Sequence, residues 1–436
     1  MDNPNENIII IGAGPAGLMA SIAAAEHGGK VVLLEKNGFP GRKLSITGKG
    51  RCNITNTALI DQLILNIPGN GKFLFSTFNK FSNSDLIEFL ASQAGIQTVS
   101  ERGGRVFPVS NDAKDVTSAL VSLAKKRGVE IMTNSEVSSI DAIDGAVVSV
   151  TLKNGRRIGC NSAVLATGGA SYKNTGSTGD GYSIARTLGH TVIPPEPSLV
   201  PLISSEAWVG SLAGLALKNI AIKLVDEKMK TIYTDFGEML FTHNGVSGPV
   251  ILSASRHMVG RKDRNTTLII DLKPALSGEV LDKRIIRDFT ANPNKAYKNS
   301  LEGLLPKSLI SVVIMLSGID PEKPVNMILK AERQSLASLL KNLRVPITGT
   351  GSMNEAIITA GGIKTSEINP ATLESKLVKG LYFAGEVIDV DAYTGGFNLT
   401  IAFCTGYCSG LSVNYVHAPT KGQSDLLSRF VEKTTL

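Results

Sequence analysis

The segment Gly12-Ala13-Gly14-Pro15-Ala16-Gly17 follows a short β-branched run, Asn7 to Ile11, and opens a helical apolar pattern extending to about His27. Each residue type there has a mechanical use. Gly12 permits a tight turn out of a strand, Gly14 lets the backbone approach a pyrophosphate, and Gly17 lets the helix pack closely on the sheet. Pro15 suits a first helical turn, where its missing N–H costs nothing. The free N–H groups and the positive end of the helix dipole then attract phosphate. After a break at Gly28-Gly29, Lys30 to Leu34 reads as a second strand ending at Glu35. A carboxylate in that place accepts hydrogen bonds from adenosine ribose hydroxyls and opposes a 2′-phosphate. Strand, glycines, helix, strand and acid in this order predict a dinucleotide site, the alternative being a glycine-rich turn that only packs tightly.

Three later stretches are suited to the remainder of such a cofactor. Asn37 to Asn56 is rich in Gly, Ser, Thr, Asn and basic residues without an apolar period. It reads as an extended loop whose backbone donors can wrap a ligand. Ala166-Thr167-Gly168-Gly169 ends another strand, and open α/β sheets bind ligands beyond the carboxyl ends of their strands. Asp391 to Thr400 opens a long uncharged helix through about Val413. Its positive end would stabilise negative charge appearing on a reduced flavin ring; the other reading is a buried packing helix.

Candidates for acid–base or substrate-holding work are few. Among five histidines, His243 lies in a polar loop, Phe241 to Pro249, where it can act as acid or base or simply fix the turn. Tyr393 and Tyr172 sit beside the expected ligand turns and can orient a substrate or merely line them. Arg51 can hold a carboxylate or the flavin edge, or form a structural ion pair. The four cysteines, at 52, 160, 404 and 408, have neither a disulfide framework nor paired C-x-x-C metal spacing. Cys404 and Cys408 read as core, and no metal is expected. Gly176 to Gly181 does not follow a suitable strand, so a second nicotinamide fingerprint is not evident; NADH or NADPH, if used, would visit the flavin transiently.

These residues require an α/β framework. At roughly 150 residues per domain, a chain of 436 suggests two or three domains. Runs at 130–133, 137–143, 146–152, 156–158 and 163–166 read as short strands, with Asp144-Gly145 and Asn154-Gly155 as hairpin signals. After the Pro194-Pro195-Glu196-Pro197 break, β-type runs such as 220–225 and 267–272 give way to a helical period through about 342, as in 325–340. Runs at 355–360 and 380–384 return to the buried-strand style. The expected division is 1–193 for the first part of a cofactor domain, 194–272 for a β-rich cap, 273–343 for a helical subdomain and 344–436 for the second part.

Composition excludes little beyond disorder. Hydrophobic residues make up 42% and charged residues 19%, while 44 glycines exceed the usual share of about 7%. The net charge of +7 suits an anionic cofactor, an acidic substrate or nucleic acid equally. The uncharged stretch from Ile8 to Ala25 has nearly the length of a membrane span, but glycines and Pro15 interrupt it and acids precede it. No membrane span and a cytoplasmic location are expected.

The segments 8–35, Gly41-Arg42-Lys43, 47–56, 166–169, 241–249 and 380–406 resemble a family of bacterial flavoproteins known as the BaiN/RdsA family, or aminoacetone-oxidase-like FAD-binding enzymes. Gly48-Lys49-Gly50-Arg51-Cys52-Asn53 and Asp389 to Leu399 are more specific than the glycine fingerprint. The resemblance implies FAD and an α/β fold: a glutathione-reductase-type FAD-binding Rossmann domain with inserted β-rich and helical subdomains. It implies pyrophosphate binding by Gly12, Ala13, Gly14, Pro15, Ala16 and Gly17. Glu35 and Lys36 would meet the adenosine ribose, and the Val137 backbone the adenine. Arg42, Lys43, Thr47, Gly48, Gly50, Arg51, Cys52 and Asn53 would line the ribityl and ring region. Ala166, Thr167 and Gly168, with Gly385, Glu386, Gly396, Phe397, Asn398 and Leu399, would close it. Glu386 stands where related flavoproteins often have Asp, and the longer carboxylate still reaches a ribityl hydroxyl.

The function expected is an FAD-dependent oxidoreductase moving a hydride between a small organic substrate and flavin N5, with NAD(P)H, oxygen or a quinone as second partner. One alternative is an RNA-modifying or RNA-binding flavoprotein. Against nucleic acid stand aromatics at only 5% and no basic–aromatic interleaving along the chain. Another alternative is a non-catalytic flavin sensor. Substrate and oligomeric state are left open.

Overall fold

Strands Asn7–Ile11, Lys30–Leu34, Glu130–Met132, Ser162–Leu165 and Leu381–Phe383 form a parallel sheet in the spatial order 381–383, 162–165, 7–11, 30–34, 130–132. The structure, a computed structural model, describes residues 7–26, 30–261 and 266–413. The expected helix end at His27 and break at Gly28-Gly29 therefore lie outside the described residues. Ile8 to Ile11 are each at most 5% exposed, as in a parallel sheet covered on both faces. The first described strand, Asn7–Ile11, is the central one; the helix Pro15–Ala25 leads to one side of it, and later strands fill the other. The order reverses between 7–11 and 162–165, where open α/β sheets place ligands.

Glycine makes that switch point compact. A β-carbon on Gly12, at φ +99°, would stand 2.6 Å from the Ala166 carbonyl oxygen, and one on Gly17 would stand 1.8 Å from Gly12 O. The closing helix, Phe397–Ser412, packs on the first helix through the same device. A β-carbon at Gly406 would meet Ala16 O at 2.2 Å, and one at Gly410 would meet Ala20 O at 2.2 Å. Both helices advance four residues between these contacts, so they run parallel. With Gly406 nine residues into one helix and Ala16 one residue into the other, the closing helix overhangs by about eight residues, or ~12 Å.

The expected meander is present as an antiparallel sheet of Val137–Ile143, Ala146–Leu152 and Arg157–Gly159, with Asp144 and Gly145 at φ 50° and 74° in its first turn. Some boundaries move. The run expected at 355–360 is strand Ile358–Ile363, because Glu355 instead closes a turn by accepting from the Ser352 N–H at 2.8 Å. The closing helix starts only at Phe397, after the left-handed Gly395 and Gly396. The 325–340 helix divides into a short turn, Val325–Met327, and a helix, Lys330–Lys341.

The chain divides into two compact units: residues up to Glu196 with those from Ile357 onward, and Pro197–Ala356. In the second, seven strands pair in the order 343–347, 266–271, 216–225, 231–242, 245–247, 202–203, 349–350. Helices Gly278–Thr290, Lys307–Ser317 and Lys330–Lys341 lie in sequence between strands 266–271 and 343–347. Leu281, Ile285 and Leu336 share one core with Leu268, Ile270 and Val345. The blocks expected at 194–272 and 273–343 thus fold as one body. It also takes in residues 344–356, expected in the cofactor domain, because Leu343–Ile347 and Gly349–Thr350 pair within this sheet. Strands Val192–Ser198 and Ile358–Ile363 at the two crossings pair with each other, and a β-carbon at Gly361 would meet Pro194 O at 2.4 Å.

Substituting alanine for glycine inside a helix ordinarily gains up to about 1 kcal/mol. At position 406 the backbone contact reverses the sign: Gly406→Ala is expected to lose about 1–3 kcal/mol in denaturant titration. Gly278→Ala, where a β-carbon meets nothing within 4 Å, serves as the comparison and is expected to be neutral or stabilising. Equal effects at the two positions would contradict the assigned helix contact.

Candidate functional site

No side chain caps the first turn of Pro15–Ala25, so its leading N–H groups are available to a ligand. The three fingerprint glycines do different work. Gly12 and Gly17 abut other backbone, whereas a β-carbon on Gly14 would meet nothing within 4 Å. Gly14 therefore borders open space at the positive helix end, which fits a diphosphate. Glu35, 7% exposed, accepts from Ala13 N–H at 2.9 Å, Asn37 N–H at 2.8 Å and the Asn37 amide at 2.6 Å. A carboxylate has about four acceptor sites, so roughly one remains for a ribose hydroxyl. The Lys36 ammonium is engaged elsewhere, with Thr178 Oγ1 and Asp180 Oδ2 both at 2.5 Å. Arg42 donates to Asn37 Oδ1 at 3.0 Å. Val137 is buried two residues after Ser135, whose N–H donates to Glu35 O at 2.8 Å.

A second cluster joins segments far apart in the chain. Lys43 Nζ donates to Glu386 Oε2 at 2.8 Å and to Ser171 Oγ at 2.9 Å. Glu386 Oε1 accepts from Thr359 N–H at 2.8 Å and Ser171 Oγ at 3.1 Å. Thr359 Oγ1 in turn accepts from the N–H groups of Ala170 and Ser171, at 2.8 and 3.1 Å. Gly169 is required beside it, since a β-carbon there would lie 2.4 Å from that hydroxyl. The turn 166–169 and the turn at Gly385-Glu386 are thereby locked together. Gly385 also donates to Thr405 Oγ1 at 2.9 Å and leaves no room for a β-carbon beside Ala16. The sequence singles out neither Ser171 nor Thr359, which meet across 188 residues of chain.

The loop from Thr47 to Asn53 approaches the start of the closing helix. Gly48, Lys49, Gly50 and Cys52 all have left-handed φ, between 58° and 87°. Thr47 Oγ1 donates to Leu44 O at 2.7 Å, and Cys52 N–H donates to Thr47 O at 3.0 Å. The Asn53 amide accepts from Gly396 N–H at 3.0 Å and donates to Thr55 O at 3.1 Å. Asn398 clamps the preceding loop by accepting from Ala392 N–H and donating to Ala392 O, both at 2.9 Å. Phe397 is buried, Leu399 is half-buried, and no side chain caps this helix. Two uncapped N-termini with a ~12 Å offset, a bare Gly14 and a polar middle cluster fit an extended dinucleotide with a redox ring at one end.

The catalytic candidates fare unequally. Arg51 pairs with Glu101 at 2.5 Å, donates twice to Asn111 Oδ1 at 2.8 and 2.6 Å, and lies 4.2 Å from the Phe107 ring centre. It forms a structural ion pair, one of the three roles foreseen, and its guanidinium holds the Glu101 carboxyl below its ordinary pKa. His243 is exposed on the turn between strands 231–242 and 245–247 of the second unit. Tyr393 is half-buried; its N–H donates to Asn66 O at 3.0 Å and its carbonyl accepts from Asn398 at 3.3 Å. Tyr172 is 39% exposed with Lys43 Nζ 5.6 Å from its ring centre. All four cysteines are buried; burial pushes Cys52, Cys160 and Cys408 up to about 12 and raises Cys404 as well. Among the described residues no His, Cys, Asp and Glu group suits a metal, and no helix is long and apolar enough to cross a membrane.

The family described as HI0933-like protein Rossmann domain matches residues 6–412. The chain is 32% identical over 406 residues to a 3-dehydro-bile acid delta(4,6)-reductase of Clostridium scindens, covering 92% of this chain and 97% of that one. It is also 32% identical over 402 residues to a ribosomal RNA dihydrouridine synthase of Escherichia coli, covering 92% and 96%. Among solved structures, 3-ketosteroid delta1-dehydrogenase of Sterolibacterium denitrificans shares the fold at TM-score 0.51 and 14% identity, covering 94% of this chain and 99% of that one.

Gly14→Val places a side chain in open space, so stability without cofactor is expected to stay within about 0.5 kcal/mol while FAD affinity falls at least about tenfold. Calorimetry of the apoprotein and FAD titration separate the two effects; retained affinity would contradict the diphosphate assignment. Thiol chemistry gives a second check. At pH 8 the native protein is expected to resist iodoacetamide at all four cysteines until denaturant is added, because the thiolate is the reactive form.

Proposed function

The chain belongs to the HI0933-like family of FAD-binding Rossmann proteins, and from that premise we propose that it reduces carbon–carbon double bonds conjugated to a carbonyl group. It is an FAD-dependent oxidoreductase. The observation that carries the finer reading is the chemistry shared by two equally similar relatives with unrelated substrates. One is named for reducing the Δ4,6 bonds of a 3-dehydro bile acid and the other for making dihydrouridine in ribosomal RNA. Both names describe an activated C=C becoming a single bond.

Bound FAD supplies two-electron hydride transfer at N5. The chain's own residues bind and orient it. The N–H groups around Gly14 to Gly17 would take the diphosphate, the remaining Glu35 acceptor a ribose hydroxyl, and the Lys43, Glu386 and Thr359 cluster the ribityl chain. The uncapped start of Phe397–Ser412 would bring a positive partial charge to the ring end and favour electron uptake. Overall, NADH or NADPH gives the hydride that ends on the carbon β to the carbonyl, and one proton completes the α-carbon. Tyr393, pinned on both sides through its backbone, is the group proposed to orient the carbonyl or donate that proton. Arg51 is already engaged, and His243 stands exposed on a turn of the other unit.

An anaerobic experiment tests the reading. NADH or NADPH should bleach the flavin band, and a 3-oxo-Δ4 steroid or a uridine-containing RNA should restore it with a product two hydrogens heavier. Tyr393→Phe should slow that restoration about 10²-fold or more while leaving bleaching unchanged. Absence of bleaching with either donor, or restoration by oxygen alone, would exclude the reductase and favour a sensor or an oxidase.

A further inference from the structure

The small antiparallel sheet of Thr55–Asn56, Arg105–Pro108 and Thr98–Glu101 stands against the start of the closing helix. The Asn56 amide donates to Gly103 O and to Gly395 O, both at 3.0 Å, and Thr57 N–H donates to Gly104 O at 2.8 Å. A β-carbon on Gly396 would lie 2.3 Å from Thr55 O. The turn 102–104 and the loop 47–53 thus both border the helix end proposed for the flavin ring.

Cations gather at that border. In the segments 47–57 and 98–112 the charged side chains are Lys49, Arg51, Arg102 and Arg105 against Glu101 and Asp112, so four minus two leaves +2. Both acids are occupied. Glu101 is held by Arg51 at 2.5 Å and by Arg105 at 3.9 Å, and Asp112 accepts from the Lys114 N–H at 2.8 Å, capping a helix. Lys49 and Arg102 are exposed and, among the described residues, neither charge has a hydrogen-bond or ion-pair partner.

The same sheet carries an apolar step. Glu101 pairs with Arg105 and Val99 with Phe107, so by two-residue alternation these four side chains share a face. Arg51 and Arg105 lie over the Phe107 ring, but Val99 is 43% exposed and Val109, two residues beyond Phe107, is 59% exposed. Three residues separate Val99 from Arg102, about 10 Å of strand, which is the span from a diphosphate to the far edge of its adenine. Uncommitted cations for phosphate, followed by an apolar step for a flat base, complement a dinucleotide in charge and surface. The diphosphate of FAD is proposed for Gly14 at the other helix, so this face fits a second dinucleotide. A visit to such a surface needs no second glycine fingerprint.

We propose that NADH or NADPH docks on this face, its diphosphate on Lys49, Arg102 and Arg105 and its adenine against Val99 and Val109. The inference rests on the reductase reading. The nicotinamide reaches toward the start of the closing helix, where a hydride passes from its C4 to flavin N5, oxidising the nicotinamide and reducing the flavin.

The test uses the full FAD-loaded chain, with anaerobic rapid mixing to read the donor Kd and the limiting bleaching rate, and calorimetry to read binding of ADP-ribose. ADP-ribose should bind with salt-sensitive affinity and compete with the donor. Lys49→Glu with Arg102→Glu should raise the Kd of donor and of ADP-ribose at least about tenfold, while Lys49→Arg with Arg102→Lys should retain both. Val99→Glu should weaken NADH about threefold or more and leave reduced nicotinamide mononucleotide, which lacks the adenosine, unaffected. FAD content, bleaching by dithionite and the limiting bleaching rate should be unchanged in every variant, which controls for folding. An unaltered donor Kd in the charge-reversed variant, a limiting rate lost with Kd intact, or ADP-ribose ignored while oligouridylate binds through Lys49 and Arg102 would each overturn the proposal. The two readings fail separately: ADP-ribose held by Lys49 and Arg102 without bleaching by either donor sinks the reductase, whereas bleaching with a donor Kd indifferent to these cations sinks only the docking face.

Discussion

A backbone-to-backbone contact between the first and last helices sets the dimensions of the cofactor cradle. Gly406 and Gly410 leave Ala16 and Ala20 carbonyls touching the opposite helix with no side chain between. Helices bearing ordinary residues at the contact pack 8–10 Å apart, with freedom to slide as side chains repack. Bare backbone removes that freedom and fixes the register. The positive ends of both helices are thereby held at a fixed offset, the arrangement proposed above to meet one elongated ligand at diphosphate and ring.

The Lys43, Ser171, Thr359 and Glu386 cluster, proposed above for the ribityl chain, is tied to strand Ile358–Ile363 and to the turns at 170–171 and 385–386. All the residues suited to FAD lie in the first unit, while the inserted unit has a core of its own. The four buried thiols are consistent with this division of work. With their pKa values raised by burial, these thiols stay protonated and unreactive at neutral pH.

Much of the cradle was legible in the sequence because its signals are local. The strand–glycine–helix–strand unit, the 166–169 turn and the uncharged closing helix each declare themselves within about twenty residues. What was hidden depends on long-range partners. Nothing near Lys36 or Arg51 announces that Asp180 and Glu101 will occupy their charges, and Thr359 gains its role only when the chain returns from the insert. The domain boundary did leave a trace. Leu343 to Ile347 alternates buried and exposed, as in a half-open antiparallel sheet, whereas Ile358 to Ile363 is buried throughout. That change of period marks the return to the flavin domain better than the strand count does.

The paired strands Val192–Ser198 and Ile358–Ile363 put the departure and return of the chain side by side. The intervening 160-odd residues are thus a closed excursion, hung from the host by a zipper that leaves the parallel sheet uninterrupted. Changes of sequence inside such an excursion can therefore leave the order and pairing of the host strands untouched.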